Sequence, residues 1–334
     1  MPRLLLTFIA LWLGGLLLGS AVAGERLRIA VPDIGAGSQP AGGVLVDVIH
    51  AQQRLERAFA PLGVTVEWHF FKGAAPLINE SFANGQIDVA YLGDLGAIVG
   101  RSAGLDTRVV AAAARGITHY LAVPLDSPIH DLAQLKGRRV GLFRGTAAEL
   151  SFTEALRSAD LTPADVLLVN LDFAAASAAL AAGQLDATWG GLNALALAER
   201  GLARLPVATS ELGGAGDLSG LLVVSGSLAA KHPDWIRTLV RVQYEAAAWA
   251  SDPEHRDAYL KLLAERTGYP ASLLRQDLER SVPLATRLAP ALDTGFRERL
   301  QDAIDTALQA RLIRRDIALD AWLVAAVPPA TRIP

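Results

Sequence analysis

Residues 144 to 148 combine the groups that an anion-binding turn needs. Thr146 stands directly before a predicted helix, so the backbone N–H groups of Ala147 and Ala148 have no acceptor inside that helix. These amides, the Thr146 hydroxyl and the helix dipole can together hold an anion. Arg144 can add two parallel hydrogen bonds to a sulfonate or a carboxylate. The alternatives are that Thr146 caps its own helix and that Arg144 is a solvated loop residue.

Asp94 and two aromatic residues are further candidates for contact with a ligand. In a pocket, Asp94 would attract an ammonium group and repel a simple anion, whereas at the start of a helix it would act as a cap. We favour the cap. Tyr91 and Trp189 occupy equivalent positions in two similar strands, where they either pack on an apolar part of the ligand or lie in the core.

The sequence argues against several other kinds of chemistry. It has no Cys, which removes thiolate metal sites, disulfides and a cysteine nucleophile. The six His residues show no paired spacing, so we expect no metal site. Gly35 and Gly37 begin a dinucleotide-binding pattern, but Pro40 stands where its third Gly belongs, and we expect no cofactor. With a net charge of −3 and no long basic run, nucleic acid is not an expected partner.

A segment that occurs twice must position these candidates. Residues 83–94 and 181–191 share a Gly-Gln-x-Asp turn, and both the glycines (183 − 85 = 98) and the aspartates (186 − 88 = 98) keep one offset. Each copy is typical of a helix end, a glycine turn and a short apolar strand that stops at glycine. Ligands of parallel α/β sheets bind at the carboxyl ends of such strands. The repeat therefore predicts two similar lobes that share a cleft, with Asp88 and Asp186 fixing the turns and not binding the ligand.

The order of strands and helices predicts an α/β fold with two Rossmann-like lobes joined by a two-strand hinge. Strand–helix–strand patterns start twice, near the beginning of the chain and again at Lys136. A return strand at 221–224 precedes a long run of helical patterns. We therefore expect lobe 1 to span residues 24–116 together with 226–334, and lobe 2 to span residues 117–225.

The amino terminus has the layout of a secretory signal. Arg3 precedes an apolar run from Leu4 to Leu18, and Ala21-Val22-Ala23 forms a cleavage pattern. We predict a cleaved signal peptide over residues 1–23, in preference to a retained membrane anchor, for which the apolar run is short. Because the chain has no Cys for lipid attachment, we expect the mature protein to be free in the bacterial periplasm.

Three further motifs resemble a known family. Asp126-Ser127-Pro128-Ile129, the stretch from Leu135 to Gly141 and Ala230-Lys231-His232-Pro233 occur in the order seen in periplasmic solute-binding proteins. Together with the repeated turns, they resemble the nitrate/sulfonate/taurine-type binding proteins of ABC importers over nearly all of the mature chain. The resemblance implies a type II periplasmic binding protein fold, no catalysis, and delivery of a small oxyanion to a permease in the inner membrane. We expect the protein to act as a monomer.

The resemblance also implies which positions contact the ligand. With Arg144 added from its own chemistry, the candidate ligand-binding residues are Gly93, Asp94, Arg144, Gly145, Thr146, Ala147, Trp189, Gly191 and Asn193. The chain departs from the family pattern at three residues and in the loop from Asp33 to Gly43, which is longer than usual. Glu149 stands where sulfonate and taurine binders carry His, and Gly191 and Asn193 stand where relatives often have Trp and Pro.

These departures leave the ligand open within the class. We expect a small organosulfonate, a taurine-like compound or a sulfate ester. Nitrate, bicarbonate, an aromatic carboxylate and a pyrimidine precursor are alternative ligands, and a sensor histidine kinase is an alternative partner to the permease. An enzyme on the same scaffold, such as a desulfinase, is less favoured because those relatives use a cysteine nucleophile and this chain has none.

Overall fold

The computed structural model describes residues 25–324, so the predicted signal peptide lies outside the described residues. The strands of this part of the chain, β1 to β10, are Arg26–Pro32, Thr65–Phe71, Val89–Gly93, Thr107–Ile117, Tyr120–Val123, Arg139–Leu142, Leu167–Asn170, Ala187–Gly190, Arg204–Ala208 and Leu218–Ser225.

The α-helices of the same residues, α1 to α14, alternate with the strands and then run on from α8 without a further strand. Their bounds are Val44–Ala51, Arg54–Phe59, Ala74–Ala83, Asp94–Ala103, Ala147–Arg157, Phe173–Ala181, Leu192–Glu199, Gly226–Lys231, Pro233–Ser251, Arg256–Thr267, Ala271–Arg280, Leu284–Arg287, Thr294–Gln309 and Leu319–Trp322. Over residues 25–324, each helix is either too short or too polar to cross a bilayer.

Two sheets repeat one strand order. In the described residues, the first sheet has the order β2-β1-β3-β10-β4 and the second has the order β7-β6-β8-β5-β9. In each sheet the first three strands are parallel, and the fourth is antiparallel to both of its neighbours. That fourth strand is in both cases the one that follows a crossing from the other sheet. The repeat predicted from the Gly-Gln-x-Asp turns therefore extends to whole sheets.

The chain passes between the sheets twice within the described residues. It leaves the first sheet at Ile117 and enters the second at Tyr120, and it returns between Ala208 and Leu218. Strand β10 pairs with β3 and β4 of the first sheet, which differs from the predicted division, where residues 218–225 belonged to lobe 2. A short apolar run that is buried on both faces carries no periodicity to say which sheet it joins. The other bounds of the lobes stay a prediction.

The repeated aspartates hold the starts of β1 and β6, which occupy equivalent places in the two sheets. Asp88 accepts hydrogen bonds from the Arg28 backbone N–H at 3.0 Å and from Arg28 Nε and Nη2 at 2.9 and 2.8 Å. Asp186 makes the same three contacts with Arg139, at 2.7, 3.3 and 3.0 Å. Each carboxylate thus ties its glycine turn to the neighbouring parallel strand. The structural role predicted for both aspartates is confirmed.

The first sheet is covered on both faces, which explains why its central strands are apolar throughout. Leu27, Ile29 and Val31 of β1 pack on one face with α1, α9 and α10, whereas Ala30 packs on the other face with α4 and α13. The helices that follow β10 therefore return to the first lobe and complete its core.

Helix α5 joins the two lobes, although it lies between two strands of the second sheet. Leu150 is fully buried in the core of the first lobe, beside α4 and α13. Glu154 is 2% exposed and forms a two-point ion pair with Arg299 of α13, at 3.1 and 2.6 Å. The lobes are thus in direct contact along one side of the cleft.

Replacement of Asp88 by Asn tests the role of the repeated turn. We expect the free energy of unfolding to fall by about 1–2 kcal/mol, because the amide cannot form the charge-assisted bonds to the guanidinium. Asp186→Asn is the matched variant and should cost less, because the Arg139 side chain is 46% exposed and the Arg28 side chain 33%. Urea denaturation measures both differences. Wild-type stability of Asp88→Asn would contradict the assigned role.

Candidate ligand-binding site

A cavity of about 250 Å³ lies between the two lobes. The carboxyl ends of β1, β3 and β8 reach it, and so do the amino termini of α1, α3, α4, α5 and α7. Helices of both lobes therefore point the positive ends of their dipoles at one space. Most of the wall is apolar and includes Ile34, Leu92, Ile117, Phe173, Leu192 and Leu274.

The amino terminus of α5 offers free hydrogen-bond donors at the cavity wall. Thr146, Ala147 and Ala148 line the cavity. Among the described residues, the backbone N–H groups of Ala147 and Ala148 donate to no acceptor. The Thr146 hydroxyl donates to the Phe143 carbonyl oxygen at 2.7 Å and does not cap the helix, so its oxygen can still accept a hydrogen bond. This turn has the features predicted for it, with ligand contact itself remaining a prediction.

Helix α7 presents a second amino terminus from the same lobe. Gly191 and Asn193 line the cavity, and Asn193 Nδ2 donates to Ser177 Oγ at 3.3 Å. A Cβ atom on Gly191 would lie 3.3 Å from His119 Cε1, so the glycine allows the hinge residue to pack closely. Gly191 and Asn193 are thus placed where a ligand in the cavity would meet them.

Gly93 is the point where the two lobes come closest at the cavity. It ends β3 in the first lobe, and a Cβ atom on it would lie 2.6 Å from Ala147 Cβ in the second. Carbon atoms do not approach so closely without a shift, so only Gly permits this contact with the lobes in their present arrangement. The sequence-based expectation of a close approach at the strand end is confirmed for this glycine.

Asp94 is turned away from the cavity and holds secondary structure together. Its carboxylate is 1% exposed and accepts hydrogen bonds from the Leu95 and Ser219 backbone N–H groups at 2.7 and 3.0 Å. Burial raises the pKa of Asp94 to about 6, against the opposing effect of Arg299 and of these two bonds. The favoured cap is not what the structure shows, because Asp94 is the first residue of α4 and Gly93 stands at the cap position without a side-chain cap; the carboxylate instead ties α4 to β10.

Arg144 and Gly145 lie behind the α5 turn and not on the cavity wall. Arg144 Nε contacts Glu149 Oε1 at 2.9 Å, and the Gly145 backbone N–H donates to Glu149 Oε2 at 2.7 Å. The Arg144 side chain is 57% exposed. Glu149 stands where the family that the sequence resembles has His. It accepts hydrogen bonds from Arg144 and Gly145, two donors that were expected to reach a ligand.

Trp189 belongs to the core of the second lobe. Its side chain is 1% exposed, packs against Phe152 and donates from Nε1 to Ser151 Oγ at 3.0 Å. The expected contact with a ligand tail does not fit this position, because the ring points to the α5 side of β8. Tyr91, in the equivalent strand, does line the cavity, and its hydroxyl donates to Gln243 Oε1 at 3.2 Å.

The loop after β1 closes the cavity on the side of the first lobe. Gly42 and Gly43 line the cavity, and their backbone N–H groups each donate to Asp47 at 2.9 Å. Asp47 is fully buried, and burial raises its pKa to about 6. The Asp47 carboxylate therefore accepts backbone N–H groups at the amino terminus of its own helix, α1. Carboxylates in α4 and α5 do the same.

Sequence patterns missed the contribution of the carboxyl-terminal helices. Tyr259, Asp277 and Arg287 line the cavity from α10, α11 and α12. Asp277 and Arg287 form an ion pair of 2.9 Å, with both side chains 6% exposed. The signal available in the sequence was weak: an Arg in a short apolar helix, far along the chain from every other lining residue.

His119 is a further missed residue, at the first connection between the lobes. It is 6% exposed and lines the cavity, and its Nδ1 lies 3.2 Å from the Thr118 carbonyl oxygen. Burial lowers the pKa of His119 to about 4, so the ring is neutral near pH 7. The described residues contain no cluster of His, Asp and Glu suited to a metal ion.

Comparison with known proteins agrees with this architecture. A model of the NMT1/THI5-like family matches residues 60–255. The chain belongs to this family. A relative from Escherichia coli strain K12, described as an aliphatic sulfonates-binding protein, is 27% identical over 264 residues, which cover 78% of this chain and 80% of the relative.

Solved structures resemble this NMT1/THI5-like protein over most of its length. A periplasmic sulfonate-binding protein from Methylobacillus flagellatus matches with a TM-score of 0.78 and 25% identity, covering 90% of this chain and 92% of that one. An alkanesulfonate-binding protein from Xanthomonas axonopodis, bound to MOPS, matches with a TM-score of 0.76 and 24% identity, covering 91% and 100%. The predicted two-lobed periplasmic binding protein fold is confirmed.

The two buried aspartates predict how stability depends on pH. The pKa of Asp47 and of Asp94 rises from 3.8 to about 6 on folding, so the folded protein keeps protons that the unfolded chain has released between these values. The free energy of unfolding should therefore fall as pH rises from about 4 to above 6, by about 3 kcal/mol for each group.

Asp94→Asn should flatten this dependence, since it removes one of the two titrating groups. Urea denaturation at pH values between 4 and 7.5 measures the slope, and the exposed Asp302→Asn is the control for loss of a charge. Parallel curves for Asp94→Asn and wild type would show that burial does not raise this pKa.

Proposed function

We propose that this protein is the substrate-binding component of an ABC importer and captures a small organosulfonate, a taurine-like compound or a sulfate ester. One observation carries the proposal: a cavity between two lobes receives helix amino termini from both. Such termini bind oxyanions through backbone amides and the helix dipole. The names of the E. coli, M. flagellatus and X. axonopodis proteins, which refer to sulfonates, support the choice of ligand.

Five of the predicted residues are proposed to contact the ligand. They share a place on the cavity wall and are Gly93, Thr146, Ala147, Gly191 and Asn193. Thr146 and Asn193 supply side-chain hydrogen bonds, and the backbone amides near Ala147 and Gly191 supply further donors. The other four predicted residues, Asp94, Arg144, Gly145 and Trp189, are not proposed to contact the ligand, because none of them lines the cavity.

The mode of action proposed is capture by closure, without catalysis. The lobes are joined by two connections and can move about them, so that closure removes water from the ligand and creates a surface for the permease. We further propose that residues 1–23 direct the chain to the periplasm and are removed there, and that the protein acts as a monomer. A desulfinase reaction is not favoured because the chain lacks a cysteine nucleophile.

Isothermal titration calorimetry with a panel of anions tests the ligand assignment. We expect saturable binding of alkanesulfonates, taurine or sulfate esters, and a ligand present at 100 times its Kd should raise the free energy of unfolding by about 2.7 kcal/mol. Nitrate, bicarbonate and aromatic carboxylates complete the panel. The apolar wall makes an aromatic carboxylate the second candidate. Binding of only the non-sulfur anions would overturn the assignment to sulfonates while keeping the role of a receptor.

Gly93→Ala tests whether closure is needed for binding. The added methyl group would lie 2.6 Å from Ala147 Cβ, so it should hold the lobes apart and weaken ligand binding by about tenfold. The backbone at Gly93 has φ of −68°, which Ala adopts without strain, so the open form should stay folded.

The control for this variant is Gly295→Ala, at an exposed helical glycine whose nearest neighbour would lie 3.8 Å from the new Cβ. Calorimetry gives the affinities, and small-angle scattering with and without ligand gives the change in radius of gyration. Wild-type affinity and wild-type compaction of Gly93→Ala would show that this contact does not form on closure.

A further inference from the structure

Buried carboxylates offset the positive ends of several helix dipoles at the cavity. Three helices that reach it, α1, α4 and α5, carry buried carboxylates in their first turns: Asp47, Asp94 and Glu149. Each accepts at least one backbone N–H at its own helix amino terminus. These negative charges offset the helix dipoles that would otherwise attract an anion.

Arg287 is the one Lys or Arg among the described residues that line the cavity. It is 5% exposed. His119, the one His that lines the cavity within residues 25–324, is neutral because burial lowers the pKa of its ring. A ligand anion inside the cavity therefore meets one guanidinium, which is ion-paired with the Asp277 carboxylate on the same wall. Removing that anion from water without a partner would cost several kcal/mol.

The guanidinium of Arg287 is held on one edge and unused on the other. Nη1 contacts Asp277 Oδ2 at 2.9 Å and donates to Ser281 Oγ at 3.0 Å. Nε is buried without a hydrogen-bond partner. Within the described residues, the hydrogen bond and the ion pair of the guanidinium both come from Nη1 and not from Nη2. Nε and Nη2 form the edge of a guanidinium that binds carboxylates and sulfonates through two parallel bonds.

The surroundings fix this side chain beside the hinge. Asp277 also accepts a hydrogen bond from the Tyr120 hydroxyl at 3.3 Å, and Ser281 Oγ lies 3.2 Å from Thr118 Oγ1. Thr118 belongs to the first connection between the lobes, and Tyr120 begins β5, the strand that follows it. The ion pair of Asp277 and Arg287 is thus held next to the first connection between the lobes.

We propose that Arg287 binds the anionic group of the ligand through its Nε and Nη2 edge, with Asp277 as the positioning residue. This inference rests on the proposed function and narrows its ligand to an anion with an apolar body. The body lies against Phe173, Leu192 and Leu274 of the cavity wall. The α5 and α7 amides then serve as additional donors and not as the source of charge.

A matched pair of probes tests the inference: benzenesulfonate and its neutral counterpart benzenesulfonamide, with benzoate and benzamide as a second pair. We expect wild type to prefer the anion of a pair. Arg287→Gln should reduce that preference by about 30-fold or more, since loss of a buried charged hydrogen-bond partner costs at least about 2 kcal/mol. Arg287→Lys keeps the charge without the fork and should lie between.

Two controls keep the result interpretable. Arg266→Gln removes a partly buried Arg that does not line the cavity and should leave the preference unchanged. If Arg287→Gln does not fold because Asp277 loses its partner, the double variant with Asp277→Asn removes both charges and takes its place. A preference ratio does not depend on how much of the protein is active.

The outcomes separate this inference from the proposed function. Wild-type preference for benzoate without any sulfonate binding overturns the sulfonate assignment, and the benzoate pair then tests Arg287. An unchanged preference ratio in Arg287→Gln or in the double variant overturns the role of Arg287 while the receptor function stands. Wild-type preference for the neutral probes, or binding of no probe of either kind, overturns the role of Arg287, while the calorimetric panel of alkanesulfonates, taurine and sulfate esters decides the proposed function separately.

Discussion

The packing of helix α5 against the first lobe is the constraint on which the site depends. Leu150 packs in the core of the first lobe, and the ion pair between Glu154 of α5 and Arg299 of α13 holds the helix to that lobe a turn further on. Because both charges are largely buried, loss of either partner would leave the other without compensation. With α5 held in this way, its amino terminus stands against Gly93, and the space between the lobes becomes a cavity.

The electrostatics of that cavity are more balanced than a set of converging helix termini suggests. Asp47, Asp94 and Glu149 each lie close behind a helix amino terminus and take up some of its N–H groups. Burial makes the charged form of the two aspartates costly, which is why their pKa values rise. What remains at the wall is a mostly apolar surface, a few free amides and one guanidinium that is ion-paired with Asp277.

The replacement of the expected His by Glu149 has a clear structural consequence. The carboxylate accepts from the Gly145 backbone N–H and holds Arg144, so the turn before α5 is satisfied largely from within the protein. Thr146 and the two amides after it remain available at the cavity. The departure therefore changes how charge is distributed in the site without changing the path of the chain.

The sequence by itself determined the duplicated architecture and the helix amino terminus at Thr146. These features depend on local patterns: a glycine turn, an aspartate that binds the adjacent strand, and a strand that ends at glycine. The family resemblance pointed to Gly93, Gly191 and Asn193, which lie on the cavity wall, and their contact with a ligand stays a prediction.

Only the tertiary structure decided that Trp189 lies in the core, that β10 joins the first sheet and that Arg287 reaches the cavity. Thr118 and Ser281, which anchor that last region, are 163 residues apart in the chain. Such contacts between distant parts of the chain depend on which faces of separate elements pack together. The spacing of residues along one element does not determine which element it packs against.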